Sequence, residues 1–549
     1  MTLRERIATL IKGDAVDDAE TLQKYSRDTS IFERRPSVVV FPKDADDVAA
    51  LVRFVYDAKA HGENISITPR SAGSDMSGGA LTDSILMVFT KYMNHIEEIT
   101  DDYATTEPGV YYRDFEKTVR AKNGKILPSY PASRSLCAMG GIVANNSGGE
   151  LTLRYGKTNK YVDELDVVLS DGSRASFRPI SMGELAVKEK EHSLEGRIYR
   201  DVHVLIEAHK EEIAAAKPNV TKNSAGFALW NVMDEEKGTF DLTQLIVGSQ
   251  GTLGIVTRAK LRLVKTKDHR AMLVVFLSDL GILPEVVHRV LKFGPESFES
   301  YDDHTFKLAV RFAPQMIFQM GLIPAIQLGF ALIPDVWMVI TGGVPKLVLL
   351  AEFAEDSQQE ALDKAQQARD ALAGLAVRTG IAKTAAAAAK YWTIRRESFN
   401  LLRKHVHGLV AAPFIDDIVV HPDDYPRFLP ELDALVANHR FIYTVAGHIG
   451  DGNFHIIPLE HMEDAAARAE ILELMPKVYS LVAKYHGSIT GEHNDGIIRT
   501  PFLPLMFGEN VIRLFADVKR IFDPQNILNP GKKVGGTIDD IKRSMIHHA

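Results

Sequence analysis

Short apolar runs alternate with helix-like patterns along the first half of the sequence. The β-branched run that follows Ser37 predicts a strand, and Val48, Leu51, Val52 and Val55 then recur at helical spacing. Further short runs between glycine-rich stretches predict strands at residues 65–68, 85–89, 165–169 and 261–264. This alternation indicates an α+β domain, which we place at residues 1–267.

The second half contains an apolar stretch without charge. The 23 residues 312–334 carry no charged side chain, a length that would suit a membrane-spanning helix. Pro314, Pro324 and Pro334 recur every ten residues and disfavour such a helix. We therefore interpret residues 312–345 as an apolar insertion buried in a cap, with a segment lying on a membrane surface as the alternative.

The chain is too long for one hydrophobic core. Its 549 residues exceed the roughly 250 to 300 at which single cores stop growing, so we expect at least two domains. We assign residues 268–508 to a substrate-binding cap and residues 509–549 to a C-terminal segment. Within the cap, an alanine run predicts a helix that carries Arg395, and residues 411–422 predict a strand that leaves a loop.

Composition favours small molecules as ligands. Lys and Arg number 64 against 72 Asp and Glu, a net charge of −8, and no block of basic residues occurs, which excludes an extended nucleic-acid surface. Cys137 is the only cysteine, so intrachain disulfides and an iron–sulfur cluster held by this chain alone are excluded. The first residues lack the apolar run of a signal peptide, and we expect a cytoplasmic protein.

Three segments rich in small residues lie in the first half, at residues 69–79, 140–149 and 248–254. Such segments expose backbone N–H groups with little side-chain bulk, which suits close approach to a diphosphate. A Walker A loop ending at Thr158 fails because Leu151 occupies the place of its first glycine, and residues 248–254 lack the Rossmann spacing. Together the three segments indicate a dinucleotide cofactor rather than three unrelated turns.

Two further glycine-flanked segments carry histidines. His448 and His455 lie seven residues apart in the first, and Glu492 is followed by His493 in the second. A lone histidine is more often a core residue, but two imidazoles, a carboxylate and a spare base form an inventory suited to a divalent metal. We therefore predict a metal site with open positions for substrate.

Together these segments resemble the FAD-linked oxidoreductases of the vanillyl-alcohol oxidase superfamily, whose FAD-binding domain is of the PCMH type. The resemblance is to the branch of the D-lactate and D-2-hydroxyglutarate dehydrogenases and the glycolate oxidase large subunit, and it runs from about Ser37 to Lys533. The motifs that carry it lie at residues 69–74, 107–110, 140–149, 154–156, 248–257, 447–455, 491–496 and 522–532.

The resemblance implies a fold and a cofactor. The fold is an α+β FAD-binding domain of two subdomains, then an α+β cap of the FAD-linked oxidase C-terminal type, with residues 509–549 returning to the FAD domain. Residues 70–79 contain no histidine for covalent attachment, so we expect non-covalent FAD. The expected FAD contacts are Pro69, Arg70, Ser71, Ala72, Gly73, Ser74, Asp75, Ser77, Pro131, Gly140, Gly141, Ala144, Asn145, Ser147, Gly148, Gly149, Tyr155, Gly156, Gln250, Gly251, Gly254, Ile255, Val256 and Asn529.

The resemblance also implies catalytic roles. His448, His455 and Glu492 match the ligands of zinc, with manganese or iron as alternatives, and His493 matches the base that removes the hydroxyl proton. This agrees with the chemistry, because a metal lowers the pKa of a bound hydroxyl and hydride then leaves for the flavin. Arg395 matches the arginine that pairs with the substrate carboxylate, and a surface ion pair is its alternative interpretation.

Several positions depart from the family pattern. Asn494 replaces a glycine, Ile457 replaces a polar residue of hydroxyglutarate dehydrogenases, and Phe399 replaces a threonine of some relatives, which leaves the substrate open. Gln250 replaces a glutamate and touches only the flavin region.

We expect a dehydrogenase of a small D-2-hydroxy acid, with D-lactate ahead of hydroxyglutarate and glycolate. Electrons then pass to a separate quinone, cytochrome or iron–sulfur subunit. Residues 312–345 are a candidate contact with that partner or with the inner face of the cytoplasmic membrane. The alternatives are a flavin-binding electron-transfer subunit of a larger iron–sulfur complex, with a different or lost substrate, and a carbon–oxygen bond exchange on the same scaffold. The family that performs this bond exchange lacks a match to the segment from Gly447 to His455.

Overall fold

The computed structural model describes residues 1–303, 343–405, 409–437, 439 and 442–547. In this part of the chain, no helix is both long enough and apolar enough to cross a membrane. The apolar insertion predicted at residues 312–345 lies outside the described residues apart from 343–345, as does the side chain of Phe399. The buried and membrane-surface interpretations of that insertion both stay predictions.

The first subdomain is built on a four-stranded sheet. Its elements are α1 (Leu3–Ala8), β1 (Asp14–Val16), α2 (Ala19–Lys24), β2 (Val38–Phe41), α3 (Ala45–Ala60), β3 (Ile67–Arg70) and β4 (Ile85–Val88). The strand order is β1-β2-β4-β3, with β2 and β3 parallel to β4. The Asp44 carboxylate caps the start of α3, whose apolar face packs on the sheet and closes a small core.

The second subdomain contains a five-stranded antiparallel sheet of order β5-β6-β12-β7-β8. Its elements are β5 (Ile96–Ile99), β6 (Tyr103–Thr106), α4 (Tyr112–Asn123), α5 (Met139–Ala144), α6 (Thr152–Tyr155), β7 (Val162–Val168), β8 (Arg174–Phe177), β9 (Ile180–Ser181), α7 (Met182–Lys188), α8 (Leu194–Ala208), α9 (Lys210–Ala216), β10 (Met233–Asp234), β11 (Thr239–Phe240), α10 (Thr243–Ile246) and β12 (Ile255–Arg262). Side chains of β12 alternate between buried and partly exposed, as expected for a sheet with one covered face. A small sheet of order β10-β11-β9 flanks it.

The cap is an eight-stranded antiparallel sheet covered by helices. Its elements are β13 (His269–Leu277), α11 (Leu283–Leu291), β14 (Ser297–Asp302), β15 (Leu347–Glu355), α12 (Gln358–Asp370), β16 (Arg378–Ala382), α13 (Ala385–His405), β17 (Val410–Ala411), β18 (Ile418–Val419), α14 (Tyr425–Val436), β19 (Ile442–His448), β20 (Asn453–Glu460) and α15 (Ala465–Lys484). The order is β16-β13-β15-β14-β19-β20-β17, and β18 also pairs with β20. This order places β14 beside β19, which brings Ser300 opposite Gly447.

The last part of the chain packs on the first half. Its helices are α16 (Gly496–Arg499), α17 (Leu503–Phe522) and α18 (Ile538–Ser544). Helix α17 buries Val511, Leu514, Phe515, Val518 and Phe522 in the core of the second subdomain. The residues that follow, Ile527 and Leu528, enter the core of the first subdomain. Short 3-10 turns lie at Thr158–Lys160, Leu229–Asn231, Leu280–Ile282, Pro422–Asp424, Ile449–Asp451 and Thr500–Phe502.

Most predicted elements are confirmed, including the α+β class and the helix that carries Arg395. The strand predicted at residues 261–264 begins earlier, at Ile255, because bulges interrupt the pattern of β12. The strand predicted to leave a loop within residues 411–422 is present but short, since only β18 forms after the loop. Strand β17 precedes this loop, and Asp417 adopts a positive φ of 65° in the turn between the two strands. That turn places two carboxylates toward the site described below.

Candidate active site

One cavity of about 730 Å³ extends between the first half of the chain and the cap. The three glycine-rich segments line one part of it, and Arg395 and the histidine cluster line the other. The sequence-predicted cofactor and catalytic residues therefore face a common space. A cofactor lying along the glycine-rich segments would reach toward the histidines.

The loop after β3 is shaped by Arg70 and Asp75. Arg70 is buried and turns back to donate to the carbonyl of Arg27 at 2.7 Å. Gly73 has a φ of 72°, and a Cβ on it would lie 2.2 Å from the Arg70 guanidinium. The Asp75 carboxylate accepts from the Gly79 N–H at 2.6 Å and from the Asn145 amide at 3.2 Å, which ties this loop to α5. The positive φ therefore favours glycine at position 73, and a Cβ there would also displace the Arg70 guanidinium.

Most of the predicted FAD contacts line the cavity. These are Pro69, Arg70, Ser71, Ala72, Gly73, Ser74, Asp75, Pro131, Gly140, Gly141, Ala144, Asn145, Ser147, Gln250, Gly251, Gly254 and Val256. The remaining predicted contacts do not line it. Ser77 and Asn529 lie behind the wall, where Asn529 donates to the carbonyls of Gly79 and Gln250 at 2.9 and 2.7 Å.

Other predicted contacts also lie away from the cavity wall: Gly148, Gly149, Tyr155, Gly156 and Ile255. The Tyr155 hydroxyl donates to Glu296 of the cap at 3.0 Å. The neighbouring Arg154 donates to the carbonyl of Ala354, also in the cap, at 2.8 Å. In this structure the Arg-Tyr-Gly segment therefore joins the second subdomain to the cap, and its expected FAD contact stays a prediction.

The histidine pair lies on a tight hairpin. Strand β19 ends at His448 and β20 begins at Asn453, with Gly452 at a φ of 73° between them. A Cβ on Gly447 would lie 2.2 Å from the Asn453 carbonyl oxygen. In the register of the hairpin, Ala446 faces His455 and His448 faces Asn453, so the two imidazoles lie diagonally on one face. The glycines allow the close turn that brings both rings together.

Three imidazoles surround one carboxylate oxygen. Oε1 of Glu492 lies 3.3 Å from His448 Nε2, 3.5 Å from His455 Nε2 and 4.0 Å from His493 Nε2. The exposed side-chain fraction rises from 3% for His448 to 12% for His455 and 21% for His493. His493 is thus the most accessible of the three from the cavity.

Buried carboxylates lie beside the opposite nitrogens of these rings. Glu299 Oε1 lies 2.6 Å from His448 Nδ1, and the two oxygens of Asp416 lie 3.0 Å from His455 Nδ1 and 2.8 Å from His493 Nδ1. Burial would raise the pKa of Glu299, but the charges of His448 and Arg395 outweigh burial and lower it to about 2. Burial likewise opposes protonation of His455, but Asp416 and Glu492 raise its pKa to about 10. Metal-binding histidines commonly have such carboxylates behind them.

Lys222 completes the environment of Glu492. Its ammonium group is fully buried and donates to Glu492 Oε2 at 2.9 Å, and Asp451 lies 3.8 Å away. Burial disfavours the charged lysine, but Glu492 and Asp451 outweigh burial and raise its pKa. Burial would raise the pKa of Glu492, but Lys222, His448 and His455 hold that pKa well below its usual value. Lys222 thus occupies one oxygen of Glu492 and leaves the other facing the imidazoles.

The residues fit a divalent metal. Ligand atoms of Asp417, His455, Glu492 and His493 lie within 4.8 Å of one another. Asp417, however, already accepts from the backbone N–H groups of Glu492 and His493 at 2.9 and 2.7 Å. Among the described residues, His448 Nε2 is buried and has no hydrogen-bond partner. We therefore favour His448, His455 and Glu492 as ligands, and this set of nitrogen and oxygen donors suits zinc.

Arg395 and Asn494 have contacts that their sequence context did not indicate. Arg395 donates to Glu299 Oε2 at 3.1 Å and its side chain is 14% exposed, so the surface ion pair is wrong. Asn494 has a φ of 71°, donates to the carbonyl of Gly248 at 2.8 Å and accepts from Lys533 at 2.6 Å. This departure from the family pattern therefore contacts the glycine-rich wall and the C-terminal segment.

Sequence reasoning assigned no site role to Glu299, Asp416, Asp417 or Lys222. For Glu299, a usable signal was its place inside the buried strand β14, because charged residues are rarely buried without a partner. The adjacent aspartates follow an apolar segment, which was a weaker signal. Lys222 lies in a polar loop, and its local sequence carried no indication of burial.

Comparison with known proteins gives matches over most of the chain. The family described as "FAD binding domain" matches residues 36–177, and "FAD linked oxidases, C-terminal domain" matches residues 266–533. The D-2-hydroxyglutarate dehydrogenase of Pseudomonas putida is 27% identical over 95% of this chain, which spans about half (50%) of the length of that relative.

Two relatives of similar length also match. The glycolate oxidase subunit GlcD of Bacillus subtilis is 25% identical over 92% of this chain and 91% of its own. The D-lactate dehydrogenase of Anaerostipes hadrus is 25% identical over 91% of this chain and 89% of its own.

Solved structures share the fold. The 4-ethylphenol oxidase of Gulosibacter chungangensis superposes with a TM-score of 0.67 and 17% identity, over 98% of this chain and 97% of its own. A p-cresol methylhydroxylase superposes with a TM-score of 0.68 and 15% identity, over 98% of this chain and 96% of its own.

Proposed function

Because the chain belongs to the FAD-linked oxidases that join an FAD binding domain to an FAD-linked oxidase C-terminal domain, we propose that it is a dehydrogenase that oxidises a small D-2-hydroxy acid to the 2-oxo acid. Electrons then pass from the flavin to a separate acceptor. The observation that carries the proposal is the cluster of three imidazoles around Glu492 Oε1, which opens on the same cavity as the glycine-rich segments.

When bound, FAD accepts hydride and the divalent metal polarises the hydroxyl group. The residues of the chain perform the remaining tasks. Arg395 pairs with the substrate carboxylate, since its guanidinium lines the cavity and its Nε has no hydrogen-bond partner among the described residues. His493 takes the hydroxyl proton, since it is the most accessible imidazole. Glu299 contacts both Arg395 and His448, which couples the position of the substrate carboxylate to the position of a metal ligand.

The cavity wall near the histidines favours a substrate with a short apolar side chain. The described residues of that wall are mostly apolar: Leu409, Val410, Ala411, Ala446 and Ile457. A second carboxylate on the substrate would be buried there without a positively charged partner from these five residues, which costs free energy. D-Lactate, with its methyl group, is therefore our first choice, ahead of 2-hydroxyglutarate and glycolate.

Anaerobic mixing tests the proposal. The FAD-loaded, zinc-loaded protein is mixed with D- and L-forms of lactate, 2-hydroxybutyrate and 2-hydroxyglutarate and with glycolate, and loss of the visible absorbance of the flavin is followed. We expect reduction by a D-acid with an apolar side chain, and prevention of that reduction by a chelator. Reduction by the L-acid alone would contradict the assignment. If no acid reduces the loaded protein, a flavin-binding electron-transfer subunit becomes the better assignment.

A further inference from the structure

We propose that Asp416 is a positioning residue that orients two imidazoles of different function with one carboxylate. Its Oδ1 lies 3.0 Å from Nδ1 of His455, which we place among the metal ligands. Its Oδ2 lies 2.8 Å from Nδ1 of His493, which we place as the base. This inference rests on the proposed function and adds to it a link between metal binding and proton removal.

The geometry gives Asp416 control over both rings. The His455 and His493 rings stack, with centroids 5.2 Å apart and an angle of 30° between their planes. With Nδ1 of each ring beside Asp416, Nε2 lies 3.5 Å from Glu492 Oε1 in His455 and 4.0 Å from it in His493. Among the described residues, His493 Nδ1 and Asp416 Oδ2 lie 2.8 Å apart as an ion-pair contact, and neither atom has a hydrogen-bond partner of good geometry. Asp416 is therefore the carboxylate placed to orient His493 through a charge contact at Nδ1.

The position of Asp416 is itself fixed. Its side chain is fully buried, and its backbone carbonyl accepts from the buried Arg499 guanidinium at 2.9 Å. A residue whose backbone is fixed and whose side chain is enclosed loses little conformational entropy when its carboxylate orients a partner. It also favours one tautomer of each ring, with the proton on Nδ1 and the lone pair on Nε2.

The neighbouring aspartate has a different role. Asp417 is equally buried, but it accepts from the Thr490 hydroxyl at 2.6 Å, the Asn453 amide at 3.1 Å and the backbone of the Glu492 loop. It therefore shapes the loop, whereas Asp416 contacts the rings. The two adjacent residues offer a matched pair of equal burial and charge for experiment.

The inference predicts a combined effect. Replacing the carboxylate behind a ligand histidine weakens metal binding by about 10- to 100-fold. Replacing the carboxylate behind a base histidine slows proton removal even when the metal is present. Asp416→Asn is expected to do both. His455→Ala, in contrast, should mainly lose zinc, and His493→Ala should lose flavin reduction but keep zinc.

The test uses the full-length, FAD-loaded protein and three variants: Asp416→Asn, Asp416→Glu and Asp417→Asn. Zinc affinity is measured by competition with a chromogenic chelator, and flavin reduction is measured by rapid mixing with D-lactate, or with whichever acid reduces the wild type, at saturating zinc. For Asp416→Asn we expect about 10- to 100-fold weaker zinc binding and reduction at least roughly tenfold slower at saturating zinc. Asp416→Glu should recover part of both, because it keeps the carboxylate.

Two outcomes would overturn the inference. If saturating zinc restores the full reduction rate of Asp416→Asn, Asp416 acts through His455 alone. The second outcome is that Asp417→Asn, with the same thermal midpoint of unfolding as Asp416→Asn, shows equally weakened zinc binding and equally slowed flavin reduction. Both effects then belong to loop structure rather than to ring orientation.

Failure of the proposed function has a separate signature, because the wild type itself is then not reduced by any of the acids. The zinc titration and the ¹⁵N resonances of selectively labelled histidine rings then decide. The inference stands if Asp416→Asn weakens zinc binding and shifts the His493 Nδ1 signal, and it fails if either is unchanged.

Discussion

Lys222→Met should strongly destabilise the cap, because it leaves buried acid groups without their cation. The Lys222 ammonium is fully buried, 2.9 Å from Glu492 Oε2 and 3.8 Å from Asp451 Oδ2. At an effective dielectric constant of about 20, the nearer pair alone interacts by roughly 6 kcal/mol, and the loss of solvation on burial opposes that gain. Removal of one partner of a buried ion pair costs about 3–5 kcal/mol, since the remaining charge stays buried. We expect a loss of that size in the free energy of unfolding.

The assay is urea unfolding of the FAD-loaded, metal-free protein, followed by tryptophan fluorescence and by flavin release, so that each transition is assigned to its part of the chain. Lys484→Met is the matched control. Lys484 contacts Glu431 at 2.7 Å, a similar distance, but its side chain is 59% exposed, so little change is expected. The double variant Lys222→Met/Glu492→Gln should recover part of the loss. Equal stability of the Lys222→Met and Lys484→Met variants would refute the reasoning.

Three further predictions concern single side chains. His493→Ala should abolish flavin reduction by the substrate while FAD and zinc stay bound, and normal reduction would remove His493 from the role of base. Arg395→Ala should raise the apparent KM for the substrate by roughly 10- to 100-fold, which is the effect of losing a charge-assisted hydrogen bond of about 1.5–3 kcal/mol. The KM of Arg395→Lys should lie between those of the wild type and Arg395→Ala. Burial lowers the pKa of Lys532 from 10.5 to about 7, so the unfolded chain binds more protons above that pH and stability should rise with pH. Between about pH 7.5 and 9.5, the free energy of unfolding of the wild type, measured relative to that of Lys532→Met, should increase by about 1.4 kcal/mol per pH unit. Parallel pH profiles of the two proteins would contradict this.

The family and the two-domain α+β architecture were predictable from motifs and are confirmed. The bounds of the strand within residues 411–422 were not, because a positive φ at Asp417 breaks an otherwise strand-like run. The site was predictable in its histidines and in Glu492 as a cluster, since two glycine-flanked segments together carry the donor groups that suit a divalent metal. Their separate roles stay predictions that the experiments above address.

Asn494 shows a limit of motif comparison. The departure from glycine left the identity of the substrate open, and the Asn494 side chain contacts Gly248 and Lys533. Asparagine tolerates the positive φ that the position requires, and it adds hydrogen bonds that glycine lacks. A substitution inside a catalytic motif can therefore act on the packing of the domains against each other.

The sequence by itself determined the local features of this protein: the glycine-rich loops, the tight histidine hairpin and the helix that carries Arg395. These depend on near neighbours, because a positive φ or a helical period is set within a few residues. Only the tertiary structure decided which groups lie behind the histidines. Glu299 reaches His448 because β14 pairs with β19, and Lys222 reaches Glu492 across 270 residues of sequence. Burial of these charges is stable only when distant partners meet, and no local pattern of side chains encodes such a meeting.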